Sequence, residues 1–174
     1  MRLIHLDRTG RLHEGDTLEL FDDYGIDTFT NIANTYPSGI SEHGHRYGFG
    51  TEPQTAIELC NSKAIEWLFE GIRLSSYPAA LSRLQAVFAV SESDVSRMVG
   101  QYGFTSSVAC FEVVSSHIEK RDMALLTGDI ASAFMNANKY WQGLCSEQPL
   151  YEYLMKPPVK VVRKLTLNDF LPKV

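Results

Sequence analysis

Cysteine is scarce in this sequence: Cys60, Cys110 and Cys145 are three in 174 residues. An odd, widely spaced set makes no disulfide framework, no C-x-x-C pair and no zinc spacing. Reduced thiols in a cytoplasmic compartment are the expectation, with Cys60 and Cys110 as small core residues. Long apolar runs are missing too. The longest, such as Leu84–Val90, fall far short of a membrane span. Asp7 arrives too early for the apolar region of a signal peptide, so the N-terminus reads as a first strand. No G-x-G-x-x-G, G-x-x-x-x-G-K-[ST] or G-x-S-x-G occurs, which removes the Rossmann fingerprint, the phosphate loop and the nucleophile elbow. Positive charge is not in excess either. Lys and Arg number 16 against 21 Asp and Glu, and the net charge of −5 speaks against a broad nucleic-acid-binding surface. A local one is still open, because Lys156, Lys160, Arg163, Lys164 and Lys173 make the C-terminal part basic.

What is present is an ordinary globular composition, 44% hydrophobic, enough for one domain over 1–174 with a full core. Arg2–Leu6 reads as a strand ended by Thr9-Gly10, and Thr17–Phe21 as a second short one. Asp22–Gly50 is polar, rich in Gly, Asn, Ser, His and Tyr. A stretch of that length without regular structure points to function. Within it, His43-x-His45 raises a metal site, but the neighbouring Gly and Arg point instead to a loop, and no metal is expected.

Thr51 with Gln54 makes a capping-box start, with Pro53 in the first turn. Ile57, Cys60, Ala64, Trp67, Leu68 and Ile72 then recur at helical spacing, and the helix stops before Tyr77-Pro78. Leu84–Val90 is apolar on both faces apart from Gln85, as in a central strand. Ser91 caps a short helix running to about Tyr102. Ser107–Val114 is a strand, Asp129–Tyr140 a helix, and Leu150–Leu154 and Val159–Leu165 are strands. This order gives an α+β fold rather than alternating βαβ units.

Three separated segments carry the chemistry. Leu3-Ile4-His5-Leu6-Asp7-Arg8 is a strand ending in polar groups. Ser82-Arg83 leads into the central strand that contains Phe88. Glu152 opens a late strand that Pro157-Pro158 interrupts and that resumes as Val159-Lys160-Val161-Val162. Together they resemble the ADP-ribosyltransferase superfamily, in which a first strand carries His or Arg, a middle strand an aromatic or Ser-Thr-Ser-like motif, and a late strand begins with Glu. His5…Leu12-x-x-Gly15-Asp16 is similar to the start of rifamycin-modifying members. The chain also resembles a bacterial group that includes RNA-modifying toxins of phage-defence toxin–antitoxin systems. Leu6-Asp7 stands where Gly-Thr is familiar, and Ser-Thr-Ser is absent.

The resemblance implies a split β-sheet core with one long and several short helices, NAD as ADP-ribose donor, and transfer to a macromolecule, RNA or protein. A small-molecule acceptor such as an antibiotic is also open. It implies Glu152 as the catalytic carboxylate, set to stabilise positive charge on the ribose as the nicotinamide bond breaks. His5 would hold the adenosine ribose, with Asp7 beside it, and Arg8 or Arg83, next to Ser82, would pair with the pyrophosphate. Phe88 would pack on nicotinamide, with Tyr47, Tyr140 and Trp141 as alternative stacking surfaces. A neutralising antitoxin protein is the implied partner, without a membrane.

Each residue also has a plain structural reading. Glu at a strand start is ordinarily solvated, and Glu147 and Glu112 compete with Glu152. Arg8 and Arg83 suit surface ion pairs, Phe88 suits the core, and Tyr140-Trp141 suits a core anchor. NAD hydrolysis, or a non-enzymatic binding module on the same fold, are the alternative functions.

Overall fold

The computed structural model describes residues 1–22, 34–48, 56–102, 108–127 and 129–170. Its strands are β1 (Leu3–Asp7), β2 (Thr17–Leu18), β3 (Val87–Ser91), β4 (Ala109–Val114), β5 (Ile118–Asp122), β6 (Tyr151–Met155) and β7 (Val159–Leu165). They form a seven-stranded sheet in the order β2-β7-β4-β1-β3-β6-β5, with every pairing antiparallel. Among the described residues three α-helices, α1 (Ala56–Ser76), α2 (Val95–Tyr102) and α3 (Ile130–Trp141), complete an α+β architecture. No helix among the described residues is long and apolar enough to cross a membrane.

Alternation along the strands builds two faces. Leu3, Val87, Ala89, Phe111, Val113, Tyr153, Met155, Val159 and Val161 meet in a core made of strand residues alone. On the opposite face, Ala86 just before β3 and Leu154 of β6 pack under Phe69 and Ile72 of α1 and Ala133, Ala137, Tyr140 and Trp141 of α3. Val95 and Met98 of α2 cover Ile4, Val90 and Cys110. Burial there pushes the Cys110 thiol up to about 11, so it behaves as a small apolar residue.

Several expected boundaries move. The second strand keeps only Thr17–Leu18 of the expected Thr17–Phe21, while Phe21 makes a lone two-hydrogen-bond bridge to Ile40. The central strand starts at Val87 rather than Leu84, because Ser82–Gln85 turns, with the Gln85 amide donating to the Ser82 carbonyl over 3.1 Å. Ser91 precedes a single tight turn, Glu92–Asp94, before α2. Asp129 caps α3 by accepting from the Ser132 amide. Strand β5 was not expected from its sequence. Ile-Glu-Lys-Arg-Asp shows no apolar alternation, and it holds as an edge strand on β6, where charge is tolerated and protective.

The long helix ends at Ser76, just ahead of Tyr77-Pro78, as expected. Its expected start at Thr51, Pro53 and Gln54, and the side chains of Ile57 and Cys60, lie outside the described residues. The buried stripe differs from the expected one. Ala64 is exposed, and Glu66, Phe69, Glu70, Ile72 and Arg73 face inward. Three charged residues at i, i+4 and i+7 therefore lie along the core-facing side, each of which must find a partner.

Candidate functional site

Strands β1 and β3 pair at only two positions, Leu3 with Ser91 and Ile4 with Val90. From His5 onward β1 stays on β4 while β3 stays on β6. Where the backbones part, His5 Nδ1 donates to the Phe88 carbonyl over 2.7 Å, a side chain standing in for the missing ladder bond. Burial pushes the His5 imidazole below its ordinary value, against the pull of the Phe88 carbonyl and Asp7, and so favours the neutral ring. Beside the parting lies a cavity of about 770 Å³, within the range of about 300–1,000 Å³ usual for ligand sites. His5 and Arg8 line it from β1 and the residue after it, Phe88 from β3, Glu66 from α1, His43, Arg46 and Tyr47 from the preceding segment, and Glu152 from β6.

Arg83 organises the wall on which Glu152 stands. It is 2% exposed and Glu152 4%. Its Nε and one terminal nitrogen each donate to Glu66 over 2.9 Å, a two-armed pair. The other terminal nitrogen donates to Glu152 Oε1 and, over 2.7 Å, to the Tyr140 hydroxyl. That hydroxyl in turn donates to Glu152 Oε1 over 2.7 Å. Among the described residues Oε2 of Glu152 has no partner, so the carboxylate is held by one oxygen while the other stays open. Burial works to lower the Arg83 guanidinium, yet Glu152 and Glu66 hold it well above its ordinary value. Burial likewise works to raise Glu66, and Arg83 and His43 hold it well below the usual carboxylate range. Two carboxylates against one guanidinium give this wall a formal negative charge. The Arg83 guanidinium also sits 4.8 Å from the Phe88 ring centroid.

The facing wall is a π-helical turn, Gly44–Gly48, with the residues just before it. Ser41 docks there, its amide donating to the Leu84 carbonyl over 2.8 Å and its hydroxyl over 3.1 Å. Gly44 is required at this contact, since a Cβ on it would lie 2.3 Å from the Leu84 carbonyl oxygen. The docking sets His43 against Phe88, with ring centroids 4.1 Å apart, and puts its Nε2 3.1 Å from Glu66 Oε1. Tyr47 lies 4.7 Å from the His43 ring and accepts from Arg8 over 2.5 Å.

His5, Arg8, Tyr47, Phe88, Arg83 and Glu152 thus meet at one cavity. Asp7 lines the same cavity while its carboxylate closes a turn, and Ser82 does not line it. The Asp7 carboxylate accepts from the amides of Thr9, Gly10 and Leu12 and from the Thr9 hydroxyl, closing the turn after β1. Burial works to raise its carboxyl, and those hydrogen bonds hold it below its ordinary value. Ser82 donates to Glu70 over 2.9 Å in a second buried network, where Glu70 also accepts from Tyr36 and from Arg73. Arg83 is no surface ion pair, and its donors are committed to Glu66, Glu152 and Tyr140. Tyr140 and Trp141 pack edge-on to each other under α1 and do not line the cavity. Glu112 pairs with Arg163 outside the site, and Glu147 is exposed. No group of three or more His, Cys, Asp or Glu side chains among the described residues can hold a metal ion.

Glu66 and the hydroxyl of Tyr140 are the site groups that sequence reasoning missed, and His43 entered only as a metal candidate. A signal for Glu66 was present: Glu66, Glu70 and Arg73 share the helical spacing of Phe69 and Ile72, a charged row on an apolar face. Over residues 3–167 the chain matches a family model described as a protein of unknown function, DUF2441. No curated protein matches it.

Proposed function

The chain belongs to the DUF2441 family, and we propose that it is an NAD-dependent ADP-ribosyltransferase built on a split sheet, modifying RNA or protein as a bacterial toxin or defence effector. The observation that carries this reading is Glu152, a buried carboxylate tied through Oε1 and open at Oε2, on the wall of a cavity that begins where β1 and β3 part.

Cleaving the nicotinamide–ribose bond builds positive charge on the ribose. A carboxylate fixed before the reaction stabilises that charge without reorganising, and it also orients a ribose hydroxyl. The negative balance of Glu66, Arg83 and Glu152 favours the same charge. Arg8 and Arg46 line the cavity too and supply the positive charge a pyrophosphate needs. Phe88 and Tyr47 offer aromatic faces for a planar ring. His5 is fixed through Nδ1 by the Phe88 carbonyl, and its Nε2 would hydrogen-bond the second ribose.

Mass spectrometry of protein, RNA and DNA from cell extract treated with NAD tests the reading, using wild type and Glu152→Gln. Wild type is expected to add ADP-ribose to one class of macromolecule, and Glu152→Gln to lose about 10²–10³-fold in rate while remaining folded. Nicotinamide release with no adduct would assign hydrolysis instead. Neither adduct nor release would leave a binding module.

A further inference from the structure

The transferase reading gives Glu152 the developing ribose charge, and it leaves the acceptor's proton without a destination. A hydroxyl is a weak nucleophile until that proton leaves. Among the side chains that line the cavity, His43 has surroundings that resemble those of a general base. Its Nε2 meets Glu66 Oε1 at 3.1 Å. Glu66 is ionised and can only accept, so Nε2 carries the hydrogen, which puts the lone pair of the neutral ring on Nδ1. Among the described residues, Nδ1 has no partner. The imidazole packs against Phe88 and Tyr47, and Glu66 is itself clamped by the two arms of Arg83. His43 and Glu152 therefore hang on one guanidinium, from opposite ends, and face one cavity.

We infer that His43 is the general base of this site, its Nδ1 taking the proton of a hydroxyl acceptor as that oxygen attacks the ribose. The inference rests on the transferase reading. The new bond joins the acceptor oxygen to the ribose anomeric carbon, and the bond from that carbon to nicotinamide breaks. The bonding pair leaves with the ring nitrogen and cancels its pyridinium charge. The acceptor's proton moves to Nδ1, and the imidazolium later gives it to solvent, one proton per NAD cleaved. Glu66 stabilises the imidazolium while it lasts and holds the tautomer that exposes Nδ1. Water is the smallest acceptor of this class.

The test follows nicotinamide release from NAD, with water as the acceptor and then in cell extract, for wild type, His43→Gln, His43→Ala and Glu152→Gln. The amide of His43→Gln can keep the N–H to Glu66 while removing the base. It is expected to lower kcat by about 10²–10⁴-fold with KM for NAD unchanged, and added imidazole is expected to restore part of the activity of His43→Ala. Wild-type kcat in His43→Gln beside an inactive Glu152→Gln would overturn the base and leave the transferase reading standing. So would a loss carried by KM, or a His43→Ala that imidazole does not rescue, since either marks a structural partner of Glu66. No nicotinamide release by wild type under either condition would overturn the transferase reading itself, and the base with it.

Discussion

His5 donates its Nδ1 hydrogen to the Phe88 carbonyl over 2.7 Å at the point where β1 and β3 stop pairing. The ring closes the edge of the opening that becomes the cavity, and it satisfies a carbonyl that no strand neighbour reaches.

Replacing it by leucine leaves that carbonyl unsatisfied and is expected to cost about 1–3 kcal/mol, read from urea unfolding. The pH dependence has a definite sign. The folded-state value of His5 lies below its ordinary 6.5, so the unfolded chain takes the proton first. The His5 contribution is complete above 6.5 and is lost as pH falls from there through the lowered folded value. His5→Gln does not titrate and should remove this part of the acid slope. An unchanged slope would place the titration elsewhere.

Tyr140→Phe removes the hydroxyl that links Arg83 to Glu152. The ring and its edge-on packing against Phe69 and Trp141 remain, so the stability loss should be modest, about 1–2 kcal/mol. Under the transferase reading, kcat falls because Glu152 loses one of the two groups fixing Oε1, while KM for NAD stays level. A fall in stability with full kcat would show that Arg83 alone suffices to hold the carboxylate.

Arg83→Met strands Glu66 and Glu152 together in a buried site. Breaking a buried pair from one side costs about 3–5 kcal/mol, and here two carboxylates lose their counter-charge. Arg83→Lys should also be destabilising, because a single ammonium cannot reproduce the two-armed bond to Glu66. In the wild type, Glu66 is held well below its ordinary 4.5. Its contribution is therefore present above that value and is lost as pH falls below it toward the folded one. Denaturation midpoints across acid pH should show this loss in wild type, and Glu66→Gln should lack it.

Gly44→Ala places a Cβ 2.3 Å from the Leu84 carbonyl oxygen. The turn carrying His43 and Tyr47 must shift, at a cost of about 1–3 kcal/mol. Because that turn is a wall of the cavity, ligand affinity should fall with stability, measurable by titrating NAD against each variant. Gly71→Ala, with open space where its Cβ would stand, is the control expected to do neither.

The sequence by itself determined the order of elements and the carriers of three of the site's groups. Apolar runs set β3 and β4, Pro78 ended α1, and Glu152 stood out because it opens a strand ahead of Pro157-Pro158. His5 and Phe88 were likewise placed by the strands that contain them. These are local facts, fixed by period and by the angles proline allows. The partners were decided only by the tertiary structure. Glu66 drew no notice until α1 turned that face onto Arg83, Tyr140 looked like a packing residue until its hydroxyl met Glu152, and His43 looked like a loop residue. Strand β5, charged almost throughout, became a strand only because β6 offered it an edge. Arg83 shows the difference most plainly: its 17 residues to Glu66 and 69 to Glu152 are closed by sheet register and helix rotation. Local patterning does not specify which distant charges meet. Burial makes each of those charges find a partner once the chain has folded.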